Sequence, residues 1–400
     1  MNVKNAYADG LTSAMIFILA IACGSIVANL YYAQTLIVLI GKYLNLNVEL
    51  EGFIVTLTQI GYGVGLLFIV PLADIIENKR LIILLLCLTS IFLFSLIIAP
   101  TGMSFLLCCF LLGLTAVATQ IIIPLVAHLT PLEKRGKTIG SVTSGLLFGI
   151  MLARPLASWI AHVLTWQAIF LFSAILMLII AIVMYCCLPR RTPEHKISYK
   201  QLIGSLPGIL KSYPVLQRRA AYHAMLFAVF SLFWTSVAML LMSDDYHYSQ
   251  AQVALFAFAG ALGALIAPVA GHVADRGFTR IATGGAIFMV GIACILAKLY
   301  GEHSIGALVI AAIILDAGVS FNLVLGQRAI YALAPNVRGR LNGLYMSIFF
   351  MGGAIGSALT GYLYKHGGWH DITGMGIIIS IVAFIYFLSE YLGNSPKVGA

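Results

Sequence analysis

Charge is scarce in this chain. Of its 400 residues, 9% are charged against 61% hydrophobic, and the mean hydropathy is +1.01. That balance excludes a soluble globule. Acidic residues are scarcer than basic ones, 14 against 23. The seven cysteines (Cys23, Cys87, Cys108, Cys109, Cys186, Cys187 and Cys294) all fall in apolar runs. None has zinc-ligand spacing with histidine, so they read as small packing residues and no metal is expected. No His/Glu metal pair, nucleophile motif or phosphate loop stands out, which argues against a membrane enzyme and against any cofactor. The longest polar stretch, 189–220, is too short for an output domain, so a membrane sensor is not expected.

What the chain does have is apolar length. Runs longer than about 18 residues read as membrane helices. Twelve are present, at about 13–38, 52–75, 81–99, 104–127, 138–162, 166–188, 221–242, 250–274, 281–300, 305–331, 341–364 and 372–392. They are numbered here as spans 1 to 12. The first is too long for a cleavable signal and carries polar residues, so it is expected to stay. Alternate loops and the two termini hold 18 of the 23 basic residues, among them seven from Arg190 to Arg219. By the positive-inside rule both termini and these loops are cytoplasmic, in a bacterial inner membrane. The net charge of +9 thus reports topology and contact with anionic lipid, and nucleic acid is not expected as a partner.

The second half repeats the first about 203 residues later. Leu72-Ala73-Asp74 returns as Val273-Ala274-Asp275, Arg135-Gly136-Lys137 as Arg338-Gly339-Arg340, Gly149 and Ala153 as Gly352 and Gly356, and Trp166 as Trp369. The expected fold is an all-α membrane protein with two pseudo-symmetric six-helix bundles, 1–188 and 221–400, joined by a linker at 189–220. Residues 198–211 of the linker could form a short helix on the membrane surface or be a plain tether. Two homologous bundles facing each other place a solute site between them, as in a secondary transporter. A monomer is expected.

The loop after span 2 reads Val70-Pro71-Leu72-Ala73-Asp74-Ile75-Ile76-Glu77-Asn78-Lys79-Arg80, and the loop after span 8 reads Gly271-His272-Val273-Ala274-Asp275-Arg276-Gly277-Phe278-Thr279-Arg280. Both resemble the signature loop of the major facilitator superfamily, G-x-x-x-D-R-x-G-R-[RK]. The second copy is the better match, with Gly271, Asp275, Arg276 and Arg280 in place. The first keeps Asp74 and the basic end Lys79-Arg80. The resemblance implies a cytoplasmic gate of Asp74, Lys79, Arg80, Asp275, Arg276 and Arg280 that latches the two bundles, since a carboxylate at a helix end accepts bonds from arginine and free amides. The alternative is plain helix termination and topology.

Asp316 is the one acid deep inside a span. It lies about eleven residues into span 10, roughly 17 Å along the axis, near the middle of a core about 30 Å thick. An ionised carboxylate there is costly, so it is expected to be protonated or paired, and either state suits a proton carrier. A protonated aspartate bonded to a neighbouring helix is the structural alternative. Ser320, Leu323 and Gln327 share its face. Arg154 is the basic counterpart in span 5. Its surroundings, Gly145-x3-Gly149-x3-Ala153-Arg154-Pro155, resemble the antiporter signature of the drug:proton efflux branch, with Ala153-Arg154-Pro155 where a Gly-Pro pair is usual. Arginine cannot shed its charge, so it faces a cavity, a partner or an anion, or else snorkels to the headgroups. Many proton-coupled relatives carry an arginine in span 4, four residues before a glycine. Here Cys109 holds that place before Gly113.

Rings and amides on other spans make a cavity for a medium-sized, uncharged or weakly anionic solute. The candidates are Asn29, Tyr31, Tyr32, Gln34, Gln59, Gln120, Trp234, Asn322, Asn342 and Tyr345, each of which could equally serve helix packing. The dense stretch Asn29-Leu30-Tyr31-Tyr32-Ala33-Gln34 resembles the corresponding segment of bacterial sugar and purine-ribonucleoside exporters. The expected function is proton-coupled export of a small molecule by alternating access, with Asp316 and Arg154 as the coupling residues. The alternatives are a metabolite uptake symporter, or an exporter of an anionic solute such as an organic acid or carboxylate siderophore.

Overall fold

The computed structural model describes residues 11–193, 198–264, 269, 273, 276, 278–334 and 337–392. Among them there are helices and no strand. Backbone amides in lipid have no water to bond, so an apolar span satisfies them within its own helix. Spans 2, 3, 5, 6, 7, 9 and 10 are the helices Val48–Phe68, Asn78–Ile98, Leu132–Val163, Trp166–Cys187, Pro214–Leu241, Thr279–Tyr300 and Ile305–Tyr331, and span 8 is described as Gln250–Ala264. Short polar residues start them. Asn47 and Ser304 accept amide bonds at the N-termini of spans 2 and 10, and Thr101 with Ser104 forms a capping box before span 4, satisfying groups the helix cannot reach itself.

Two spans expected to be continuous are broken. Span 1 stops at Ala28, passes through a tight turn at Tyr32–Thr35 and resumes as Ile37–Tyr43. The Asn29 amide donates to the carbonyls of Ser25 and Ile26 at 3.1 Å, competing with the backbone ladder and ending the helix. Span 4 splits into Gly102–Thr115 and Thr119–Leu129. There the Thr115 hydroxyl takes the carbonyls of Leu111 and Leu112, and Pro124 lacks the N–H its helix needs. Spans 11 and 12 form one element, Arg338–Leu392, interrupted at Gly368 with φ 58° and ψ −148°. Only glycine adopts that conformation without strain. The chain reverses there: Tyr345, before the break, lies 5.0 Å from His223, and Tyr386, after it, lies 5.4 Å from neighbouring Tyr222.

The contacts repeat between halves. Span 1 packs on 5 as span 7 packs on 11, span 2 on 4 as 8 on 10, span 3 on 6 as 9 on 12, and span 3 on 4 as 9 on 10. Small residues four apart make the first of these pairs. Gly145 and Gly149 lie on the backbone of Ala20 and Gly24, and Gly352 and Gly356 lie on that of Ala224 and Ala228. Close backbone contact supplies the packing that lipid cannot drive. Between halves, span 2 meets 11 and span 5 meets 8, two contacts that a twofold axis would exchange. Span 7 is enclosed: every residue from Leu226 to Leu241 is buried, as expected of a helix that is apolar all round. Spans 3, 6, 9 and 12 turn large apolar side chains outward, among them Leu84, Ile182, Phe288 and Ile385. The chain is an all-α membrane protein of twelve spans in two pseudo-symmetric six-helix bundles.

The linker does form a helix, Tyr199–Ser212, capped by Ser198 and Gln201 and burying Leu202, Leu206 and Ile209. It bridges the halves on the side of the basic loops. Tyr199 donates to the Phe68 carbonyl of span 2 at 2.8 Å, and Arg340 of span 11 donates to the Ser205 hydroxyl at 2.8 Å. Just before it, Arg191 donates to Asn78 at the start of span 3, at 2.9 Å.

Candidate functional site

The break in span 1 shapes the centre of the molecule. It places Tyr31, Gln34 and Thr35 against span 5, where Arg154 is only 2% exposed. Arg154 donates from Nε to the Gln34 amide oxygen at 2.8 Å, and the Thr35 hydroxyl donates to the Arg154 carbonyl at 3.4 Å. The guanidinium is also covered by rings. Its centre lies 5.3 Å from the Tyr31 ring, 4.8 Å from Phe230 and 4.3 Å from Trp234, within range of attraction between a cation and an aromatic face. Span 5 therefore holds a fixed charge away from the headgroups.

Its counter-charge comes from the other half. Asp316 in span 10 is 5% exposed, with Oδ2 at 3.8 Å from Arg154 Nη1. Its Oδ1 accepts a 2.7 Å bond from the Trp234 indole of span 7. Span 8 approaches closely: a side chain at Gly260 would meet both Trp234 and Asp316, and one at Gly263 would meet the Asp316 Cβ. The pair is at the outer limit of ion-pair distance and is not bidentate. It attracts across the interface without the geometry of a permanent lock. One helical turn beyond Arg154, Gln250 of span 8 donates to the Thr35 carbonyl at 2.8 Å and to the Ser158 hydroxyl at 3.2 Å. Lys365 pairs with Glu49 at 2.8 Å on the same far side. Chemically, the centre holds one permanent cation, a carboxylate facing it and the rings that cover the cation.

Five residues singled out from sequence thus meet at one point: Tyr31, Gln34, Arg154, Trp234 and Asp316. The others lie elsewhere. Asn29 accepts from Ser173 at 2.6 Å and contacts Met177, and Tyr32 also faces Ser173, all within the first half. Gln59 donates to Ser231 at 2.8 Å and accepts from Ser357, tying span 2 to spans 7 and 11. Gln120 donates to Tyr62 at 3.2 Å and accepts from Asn342 at 3.5 Å. Asn322 and Tyr345 are buried with side-chain polar atoms that bond no other protein group.

Of the expected gate, Arg80 pairs with Glu77 at 3.0 Å, Lys79 lies over Tyr185, and Arg280 pairs with Glu390 at 3.6 Å, each within its own half. Asp74 stands in the field of Arg191 and Arg340, Arg276 is exposed, and Asp275 lies outside the described residues. The cross-half polar contacts instead include Gln250, Thr35, Ser158, Ser231, Ser357 and Ser347, which donates to the Gly63 carbonyl at 3.0 Å. The sequence signal for these was slight: one amide or hydroxyl inside an apolar run.

Twelve spans in two pseudo-symmetric halves, bridged by a buried ion pair, define a membrane transporter of the secondary type. The family model of the Major Facilitator Superfamily matches residues 14–300 and again 220–399. The uncharacterised transporter YgaY of Escherichia coli is 37% identical over 93% of this chain and 94% of its own length. The probable transporter SCO4007 of Streptomyces coelicolor is 27% identical over 89% of this chain and 82% of its own. The crystal structure of the nucleoside transporter NupG superposes with a TM-score of 0.74 at 14% identity, covering 94% of this chain and all of that one. The chain belongs to the Major Facilitator Superfamily, whose members are membrane transporters of small molecules.

Proposed function

We propose that the chain is a proton-coupled secondary transporter that exports a small molecule across the bacterial inner membrane. In this reading it works as a monomer in lipid, with the basic loops and both termini in the cytoplasm. Residues 1–188 and 221–400 rock against each other by alternating access about the linker 189–220. The observation that carries the reading is the Arg154–Asp316 pair, buried and contributed by opposite halves. Arg154 is permanently charged, so the state of the bridge is set by whether Asp316 holds a proton. Protonation removes the attraction between halves and lets them part. Deprotonation restores it, and a ligand or proton that prefers one state shifts the population accordingly. Outward direction is supported by the resemblance of the Asn29–Gln34 stretch and of the span 5 signature to efflux proteins. The loops around Asp74 and Asp275 are the expected gate on the cytoplasmic side.

The test uses everted membrane vesicles containing a pH-sensitive dye, challenged with a compound panel. Wild-type protein is expected to shift the pH gradient when a substrate is added, and the sign of the shift reports whether proton and substrate cross in the same or in opposite directions. Asp316→Asn, which mimics the protonated shape, is expected to abolish gradient-driven flux while keeping substrate binding. Full gradient-driven transport by Asp316→Asn would make Asp316 structural and remove the basis of the coupling.

A further inference from the structure

On the Arg154 side of the ion pair, the hydrogen-bonding capacity left over among the described residues is that of donors. Arg154 Nε is taken by Gln34 and Nη1 faces Asp316, but Nη2 has no hydrogen-bond partner among the described residues. A guanidinium only donates, so Gln34 must turn its oxygen toward it. The free end of Gln34 is then the amide nitrogen, which is also buried and without a partner. On the acidic side, Asp316 Oδ1 accepts from Trp234, and Oδ2, at 3.8 Å from Nη1, is the oxygen open to a proton. Two unpartnered donors therefore belong to the two residues joined by the Nε–Oε1 bond, and the guanidinium is covered by the rings of Tyr31, Phe230 and Trp234. The Gln250 amide oxygen, also unpartnered, belongs to the contact with Thr35 and Ser158 one turn away. The titratable groups facing the pair are each other and the Tyr31 phenol from span 1. Spans 7 and 8 face it with Phe230, Trp234 and Gly260, which do not titrate.

Unpartnered donors around a fixed cation fit a group that accepts. We propose that the solute carries an anionic oxygen group, in the simplest case a carboxylate, which seats on Arg154 Nη2 and Gln34 Nε2, and that it crosses in the same direction as a proton carried by Asp316. This rests on the proton-coupled reading above and specifies its substrate class. The argument is charge balance. An unpaired buried cation is strongly unfavourable, and Arg154 cannot become neutral. When Asp316 takes a proton, an anion on Arg154 restores the balance. The closed site thus has two balanced states: ionised Asp316 with no solute, or protonated Asp316 with the anion. Proton and anion enter together and leave together, one of each, so a monoanion moves without net charge. Outward movement of such an acid is driven by its own accumulation inside.

The experiment is isothermal titration calorimetry of the full chain in lipid nanodiscs, in two buffers of different ionisation enthalpy, which counts the protons exchanged. The probes are acetate, benzoate and 2-naphthoate, each with its neutral amide and its amine counterpart. Carboxylates are expected to bind at least tenfold more tightly than amides or amines, with uptake of one proton. Their affinity falls tenfold per pH unit wherever Asp316 is ionised in the free protein. Arg154→Gln is expected to lose carboxylate binding. Asp316→Asn is expected to keep it, with no proton uptake and no pH dependence over the same range. Preferential amine binding with proton release would overturn the anion and leave proton coupling standing. Carboxylate binding by wild type without proton uptake would overturn cotransport and the coupling reading with it. If no carboxylate binds wild type, the same titration of Asp316→Asn, whose guanidinium has lost its counter-charge, decides: failure there too overturns the proposal.

Discussion

The ion pair between the halves makes a prediction with a calculable size. At 3.8 Å and an effective dielectric of about 20, two unit charges attract by about 4 kcal/mol. Removing one partner of a buried pair costs roughly 3–5 kcal/mol, because the other charge is left stranded, whereas removing both is close to neutral. Asp316→Asn and Arg154→Gln are suitable single changes. The asparagine oxygen can still accept from Trp234 at the 2.7 Å position. Arg154→Gln also gives up its stack on Trp234, worth about 0.5–2 kcal/mol, so it is expected to be the costlier single change. The double variant is expected to lie within about 2 kcal/mol of wild type, which with single costs of about 3–5 kcal/mol gives a coupling energy of at least about 4 kcal/mol in a double-mutant cycle. Equilibrium unfolding by SDS titration in mixed micelles measures all four proteins. Raising salt to 0.5 M is expected to leave the coupling unchanged, since buried pairs are screened little. A coupling energy below about 0.5 kcal/mol, the range of independent sites, would refute the claim that these charges hold the halves together.

The glycines of spans 1 and 5 discriminate packing from chance. Gly149→Ala places a methyl on the Gly24 backbone and is expected to cost about 1–3 kcal/mol in the same titration, whereas Gly140→Ala, which meets nothing within 4 Å, is expected to be neutral or to gain up to about 1 kcal/mol from helix propensity. Gln250→Leu strands the Thr35 carbonyl at a cost of about 1–3 kcal/mol to the closed far side. Maleimide labelling of Ser158→Cys, in a background freed of native cysteines, is expected to speed up roughly tenfold, and an unchanged rate would show that Gln250 does not hold that side shut. Lys365→Gln breaks an ion pair with Glu49 that is largely open to solvent, so unfolding midpoints are expected to move by no more than about 1 kcal/mol.

The sequence made the span count and the two-half plan legible, because apolar length and a repeated lag survive any detail of packing. Asp316 and Arg154 stood out for the same reason: a charge inside an apolar run is conspicuous whatever surrounds it. Their pairing was not legible, since sequence spacing does not say which faces of spans 5 and 10 meet. The polar stretch Asn29–Gln34 was visible as a cluster but not as two groups. A helical period assigns faces only where the helix is regular, and span 1 leaves the α conformation at that stretch. Asn29 and Tyr32 therefore turn into the first half, while Tyr31 and Gln34 reach the centre. The expected gate shows a different limit. Lys79 and Arg80 are long and flexible, and in this structure they meet Tyr185 and Glu77 in their own half, which a motif cannot specify. Gln250 passed unnoticed because one amide at the start of a span looks like an ordinary helix terminus.

Three of the bonds that join the halves are chemically lopsided. Gln250 and Ser347 of the second half donate side-chain hydrogens to the first half, and Tyr199 of the linker does the same. All three land on main-chain carbonyls, those of Thr35, Gly63 and Phe68. A carbonyl is present whatever residue carries it. Over generations of sequence drift, the donors have little freedom, since each must keep an N–H or O–H at a fixed reach. The receiving positions at 35 and 68 can change letter without losing the bond, while Gly63 stays restricted by the close approach of Met351. A scan of every substitution is therefore expected to find intolerance concentrated at 250 and 347 and latitude at 35 and 68. At these three points the interface would then be held by a particular letter on one side and by bare backbone on the other.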